Sequence, residues 1–132
     1  EYMGRVTCDV KVENTEDLLR ARRGELAPDQ VRTLRITDAL VDTGASTFAL
    51  PTSLLRQLGL DTPVATKRSR NTTGEYRANL YGPVRLWIGD RDMTLDVLEV
   101  ADGCPVLIGQ LPLEHMQLVV DMTNHRIVPS PA

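Results

Sequence analysis

Aromatic residues are nearly missing: one Trp, three Tyr and one Phe make up 4% of 132 residues. The core must therefore be assembled from Val, Leu and Ile. Cysteine is equally scarce. Two residues, Cys8 and Cys104, are too few for a disulfide framework or a four-cysteine zinc site. They read as small, buried or half-buried thiols in a reducing compartment, with a bridge between them left open by the spacing. No apolar run approaches the roughly 18–20 residues that span a bilayer. No basic segment followed by an apolar stretch marks a secretory signal, and Met3-Gly4 reads as a natural start behind Glu1-Tyr2. Positive charge is not in excess either. Lys and Arg number 15 against 18 Asp and Glu, and the net charge of −3 argues against a nucleic-acid surface or a polybasic membrane patch. What remains, with 42% apolar and 25% charged residues, is one globular domain over residues 1–132, expected in the cytoplasm.

The chain alternates early. Val6, Cys8, Val10 and Val12 interleave with Arg5, Thr7, Asp9 and Lys11, the period of a half-buried strand. A charged stretch, residues 13–32, interrupts this pattern and reads as a solvated surface insertion. Inside it Asn14, three residues before Asp17, caps a short helix that Gly24 stops. Extended structure resumes at Leu34 and runs to Val41. Thr52 to Leu58 reads as a helix behind Pro51, with Gly59 as its C-terminal cap. Residues 61–74 read as a polar loop. Tyr76, Ala78 and Leu80 alternate until Gly82-Pro83 breaks them, and Val84, Leu86 and Ile88 alternate again. Gly89-Asp90 turns the chain into Met93, Leu95 and Val97. A compact run, Val106-Leu107-Ile108, ends at Gly109. A helical turn from Leu111 to Met116 and a hairpin of 118–120 with 126–128 close the sequence. Many short strands and one or two brief helices imply an all-β barrel or sandwich.

The segment that carries chemistry is Leu40-Val41-Asp42-Thr43-Gly44-Ala45-Ser46. An apolar strand delivers one carboxylate to a tight turn, where Gly44 permits backbone crowding and Thr43 offers a hydroxyl. Asp-Thr-Gly alone is common enough to arise by chance, and an Asx-type turn at a strand end is its plain structural reading. About 65 residues after Asp42 stands Val106-Leu107-Ile108-Gly109, and between them lies Asn71-Thr72-Thr73-Gly74 ahead of an alternating strand.

In this order and spacing the three segments resemble the aspartic proteases: the catalytic loop, the flap hairpin and the apolar-apolar-Gly strand that threads beside the loop. Only one Asp-Thr-Gly is present, because Asp61-Thr62-Pro63 has proline where the motif needs a free N–H and a flexible turn. A single carboxylate cannot form the dyad, so the chain resembles the retropepsins, which work as homodimers. That resemblance implies a closed acid-protease barrel. It also implies Asp42, Thr43 and Gly44 as the catalytic loop, and Ala45, Ser46, Thr72, Thr73, Gly74, Leu107 and Ile108 as peptide-binding positions. Asp42 of each copy would share one proton, activate a water and hydrolyse an extended peptide, with no metal, cofactor or covalent intermediate. Thr43 would brace the two loops across the dimer axis.

Departures from the retroviral pattern are specific. Retroviral enzymes carry an acidic residue two positions after the motif's glycine and an arginine directly after the late glycine; Ser46 and Gln110 stand here. The charge pair that ties their dimer is absent, so the dimer is expected to be weak and concentration-dependent. The insertion and the helix from Thr52 are closer to small cellular or bacterial members. A dimeric, non-catalytic peptide-binding module on the same fold is the alternative, and a monomeric barrel with a chance motif a third reading. His115 and His125 lack partners at ligand spacing, and Ser46 and Ser53 lack a histidine pattern, so zinc and serine-triad chemistry have no support.

Overall fold

Alternation between Val and charged residues forms the first strand, β1 (Val6–Asn14), with Val6, Val10 and Val12 buried. The computed structural model describes residues 5–71 and 74–131, with backbone alone for 69–71 and 76. Among these, β1 is followed by helix α1 (Thr15–Arg22), a 3₁₀ turn (Pro28–Gln30), β2 (Thr33–Val41), β3 (Phe48–Pro51) and α2 (Thr52–Gln57). Then come β4 (Ala65–Asn71), β5 (Gly74–Ile88), β6 (Arg91–Val100), β7 (Leu107–Ile108), α3 (Gln110–His115), β8 (Leu118–Asp121) and β9 (Arg126–Pro129). The main sheet runs β1-β2-β7-β3-β6-β5-β4, and a further β1–β5 pairing, Lys11↔Trp87 to Asn14↔Val84, closes six of these strands into a barrel. Closure removes the open edges that a flat sheet would expose. The expected all-β acid-protease barrel is thus the observed fold, with three short α-helices among the described residues where one or two were expected. Among the described residues no helix is long and apolar enough to cross a membrane.

Aliphatic residues fill the core as the shortage of aromatics requires. Val12, Leu50, Leu55, Leu58, Val84, Leu86, Val97 and Ile108 are buried around Phe48. Each such side chain contributes roughly 1.5–3 kcal/mol by leaving water. Trp87 lies on the opposite face of β5. Its indole N–H donates to Glu13 Oε1 (2.7 Å), and Lys11 Nζ stands 5.0 Å from the ring centroid.

Two polar segments fold differently from their sequence pattern. Residues 65–71 are β4 rather than loop, and β5 continues for 15 residues through Gly82-Pro83. β4 is an edge strand that pairs with β5 alone, so no core face imposes an apolar period of two on it. Pro83 is accommodated at a slip in register between Tyr81 and Val84, where its missing N–H costs no ladder bond. The thiols differ as well: both are free, Cys8 is half-buried, and Cys104 is exposed rather than shielded. Burial, followed by the neighbouring Asp9, pushes the Cys8 thiol up to about 11.

The charged segment 13–32 is more than a solvated insertion, because Asn14 and Asp17 are each only 2% exposed. Asn14 Oδ1 accepts from the Asp17 N–H (3.0 Å), the expected cap, and its Nδ2 donates to the Leu58 carbonyl (2.7 Å). Asp17 receives Arg32 Nε (2.8 Å), Arg32 Nη2 (2.9 Å) and the Arg32 backbone N–H (3.0 Å). The guanidinium lies against Gly59, where a Cβ would meet Nη1 at 1.9 Å and where φ is +77°. Both ends of the insertion are thereby fastened to the exit of α2.

The hydrogen bonds from Arg32 hold the Asp17 carboxyl below its ordinary value of 3.8. A carboxyl depressed in the native state stabilises fully above the unfolded value, and that contribution fades as pH falls through the native one. Asp17→Asn should cost about 2 kcal/mol in urea unfolding at pH 7, and the gap to wild type should shrink as the pH is lowered below about 4. A pH-independent gap would assign the loss to packing instead. Iodoacetamide at neutral pH should alkylate Cys104 in the native protein and Cys8 only after unfolding, as read by peptide mass mapping.

Candidate active site

β2 ends at Val41 and hands the chain to a loop too small and polar to continue the strand. Asp42 stands at its start, exposed, with its N–H donating to the Ile108 carbonyl (2.9 Å). Asp42 Oδ1 accepts from the Gly44 N–H (2.9 Å), and the Asp42 carbonyl accepts from Ala45 N–H (3.0 Å). A Cβ on residue 44 would lie 3.2 Å from the same carboxylate oxygen. The carboxylate is therefore aimed by one backbone donor, the Gly44 N–H, and is otherwise exposed. Thr43 is exposed at the tip, and among the described residues its hydroxyl has no hydrogen-bond partner within the chain.

Residues 106–111 hold this loop from behind. β7 pairs parallel with β2 (Leu40↔Leu107, Val41↔Ile108) and antiparallel with β3 (Phe48↔Ile108, Ala49↔Leu107), so it runs between the two strands that flank the loop. Gly109 N–H donates to Thr47 O (2.8 Å), Gln110 N–H to Ala45 O (2.9 Å) and Leu111 N–H to Ser46 O (3.0 Å). The expected threading of the Val106-Leu107-Ile108-Gly109 segment beside the Asp42 loop is what these bonds describe.

The expected peptide-binding positions divide. Ala45 is half-buried and Ser46 exposed on the loop itself, and Gly74 closes the β4–β5 hairpin opposite Asn71. Thr72 and Thr73 lie outside the described residues. Leu107 is half-buried, whereas Ile108 is fully enclosed in the core and meets no surface. Their difference follows from strand alternation, since neighbours point to opposite faces.

Leu107 belongs to a row that the sequence pattern did not disclose. Successive register partners Leu40, Leu107, Ala49, Leu98, Leu80 and Ala65 cross six strands in one line. All are apolar, yet none joins the hydrophobic core cluster, which is built from the alternate residues Ile108, Phe48, Val97 and Tyr81. The row thus forms an apolar floor on the barrel's outer side, starting two residues before Asp42. The four-residue apolar run Phe48–Pro51, immediately after the motif loop, was the available sign of it. Where β5 leaves β6 beyond the Leu80↔Leu98 pair, a cavity of about 490 Å³ opens between the hairpin and the 101–104 loop, lined by Ala78, Leu98, Glu99, Arg77 and Cys104 among others. Glu99 is committed there: its carboxylate accepts from Thr52 Oγ1 (2.7 Å) and Asn79 Nδ2 (3.3 Å). Burial, then Glu99, raises the Tyr81 phenol above its usual range.

The histidines take no part, both being exposed, with His125 at φ 51° in the β8–β9 turn. Asp121 accepts from the Thr123 and Asn124 N–H groups, so it fixes that turn. In comparison with known proteins, a model of the family described as aspartyl protease matches residues 30–111, which span β2 through β7 and include Asp42 and Gly109. No curated protein matches the chain.

Gly109 is the tightest point of the threading. A Cβ there would fall 2.6 Å from both Thr47 N and Thr47 O and 2.7 Å from Ala45 O, all backbone atoms that cannot swing aside. Gly109→Ala should cost about 3 kcal/mol in urea unfolding, at the upper end for overpacking. A loss below about 1 kcal/mol would show that the loop yields.

Proposed function

The chain belongs to the aspartyl protease family, related to the retropepsin-like proteases, and on that premise we propose that it is an aspartic endopeptidase assembled from two copies. The observation that carries this reading is Asp42, held at an exposed loop tip by the Gly44 N–H in a chain with a single Asp-Thr-Gly. One carboxylate cannot act as both acid and base towards the same peptide, so the second comes from a second chain. Thr43, whose hydroxyl is unpartnered among the described residues, supplies the contact across the two-fold axis. Ser46 and Gln110 supply no interfacial charge pair. Gln110 Nε2 instead donates to Glu114 within α3 (3.1 Å), so the dimer is weak.

In the dimer the two Asp42 carboxyls face each other with one proton between them, because two adjacent anions repel. The ionised member removes a proton from a bound water as its oxygen attacks the peptide carbonyl carbon. The protonated member donates to the carbonyl oxygen and stabilises the tetrahedral intermediate. Collapse breaks the C–N bond, and the leaving nitrogen takes up a proton from the dyad. The substrate lies extended over the apolar row, under the β4–β5 hairpin, where main-chain hydrogen bonds give affinity and the row receives apolar side chains.

Peptide-library cleavage by wild-type protein should be lost by about a thousandfold in Asp42→Asn, and specific activity should rise with protein concentration as dimer forms. Cleavage that survives Asp42→Asn, or activity proportional to concentration with only monomer in sedimentation, would refute the proposal. A dimer that binds peptides without cutting them at any pH between about 3.5 and 7.5 would leave the binding module in its place.

A further inference from the structure

The β5–β6 register ends at Leu80↔Leu98, and from Asn79 outward β5 pairs with β4 alone. A two-stranded ribbon is marginally stable by itself. This one also sets Arg68 directly opposite Arg77, a pairing of like charges that weakens it further. Behind its base lies the cavity of about 490 Å³ towards the 101–104 loop, so on that side the ribbon has open space and no packed neighbour. Something other than sheet pairing and close packing must hold its angle to the barrel.

Side chains take over where the ladder stops. One step beyond the apolar rung Leu98–Leu80–Ala65 stand Glu99 in β6, Asn79 in β5 and Thr66 in β4. By strand alternation they point to the opposite face, so this polar rung backs the last apolar one. Thr66 Oγ1 donates to Asn79 Oδ1 (2.9 Å), and Asn79 Nδ2 donates to Glu99 Oε1 (3.3 Å). The other oxygen, Glu99 Oε2, accepts from Thr52 Oγ1 (2.7 Å) at the start of α2. Glu99 is itself fixed to the barrel, because β6 pairs in parallel with β3 through Leu50↔Glu99, and Leu50 is fully buried. Thr52, Asn79 and Glu99 are all half-buried, where hydrogen bonds to a carboxylate are stronger than in open water. One carboxylate thus joins the core-anchored end, β3 and α2, to both strands of the ribbon.

We propose that Glu99 is a positioning residue: held by Thr52, it holds Asn79 and through it Thr66, and so sets the β4–β5 hairpin at the angle at which it covers an extended peptide. This rests on the reading above that the hairpin closes over a peptide lying on the apolar row. Glu99 acts through Asn79 and Thr66 and contacts neither the substrate nor the Asp42 carboxylates. Hydrogen bonding carries the effect, so a glutamine at position 99 is sufficient. Its carbonyl oxygen accepts from Asn79, and its amide donates to the Thr52 hydroxyl, which turns its own proton to the Val100 carbonyl (3.3 Å).

The test compares Glu99→Ala, Asn79→Ala and Glu99→Gln with wild type in the full chain, first by hydrogen exchange of the free protein read by mass spectrometry. Both alanine variants should exchange about tenfold faster in β4 and in residues 74–79, while β1 and β3 keep their protection. Towards a peptide that wild type cleaves, KM should rise about tenfold in the same two variants with kcat changed less than about twofold, the pattern of lost uniform binding. Glu99→Gln should match wild type in both measurements. Unchanged hairpin exchange, faster exchange spread evenly over the barrel, or a Glu99→Gln protein that behaves like Glu99→Ala would each overturn the inference. So would Asp42-dependent cleavage with an unaltered KM in both alanine variants, and the endopeptidase reading would then stand alone. If wild type cleaves nothing, the affinity of the same variants for fluorescein-labelled library peptides replaces KM. Hairpin-local exchange with about tenfold weaker binding then keeps this inference while the endopeptidase reading fails, and binding of no peptide overturns both.

Discussion

Everything about the site depends on two backbones that approach too closely for a side chain to stand between them. Gly109 packs against Thr47 and Ala45 with no room for a Cβ, and from that contact three successive N–H groups, of Gly109, Gln110 and Leu111, reach the carbonyls of Thr47, Ala45 and Ser46. The loop has no regular structure of its own and no apolar side chain to bury at its tip. Its shape is imposed by β7 behind it, and β7 is fixed in turn by pairing with β2 on one side and β3 on the other. A carboxylate on an ordinary surface loop would sample many rotamers. Here the Gly44 N–H meets Asp42 Oδ1 because the turn is already set.

The same threading creates the floor beside the carboxylate. A two-residue strand inserted between β2 and β3 must present one side chain to each face. Ile108 goes inward and completes the core, and Leu107 goes outward into the row that runs to Ala65. One face of the sheet is thus apolar within the core, and the other carries the outer apolar row. That second face costs nothing as long as a peptide or a partner covers it, and it is the kind of surface that an uncommitted barrel would make polar.

The insertion illustrates how a charged segment becomes structural. Its composition is that of solvent-exposed chain, yet its first turn places Asp17 inside, where only the Arg32 fork makes burial of a carboxylate tolerable. Gly59 then gives the guanidinium a place to lie. The elements so joined are β1, α1 and the end of α2.

Much was legible in one dimension because it was local. Alternating Val residues made β1, Asn14 and Asp17 made a cap, Gly89-Asp90 made a two-residue turn, and the Asp42 motif with Gly109 67 positions after Asp42 announced the family. These signals require only neighbours in the chain or a fixed spacing between short motifs. What tertiary structure alone decided were the matters of register and closure. The sequence could not tell that Leu107 faces out and Ile108 in, that polar residues 65–71 pair as a strand, or that six apolar residues from six strands stand in one line. None of these is encoded by any stretch of neighbouring residues. Each follows from which strand lies beside which, and that is settled by burying the aliphatic core around Phe48 and closing β1 onto β5.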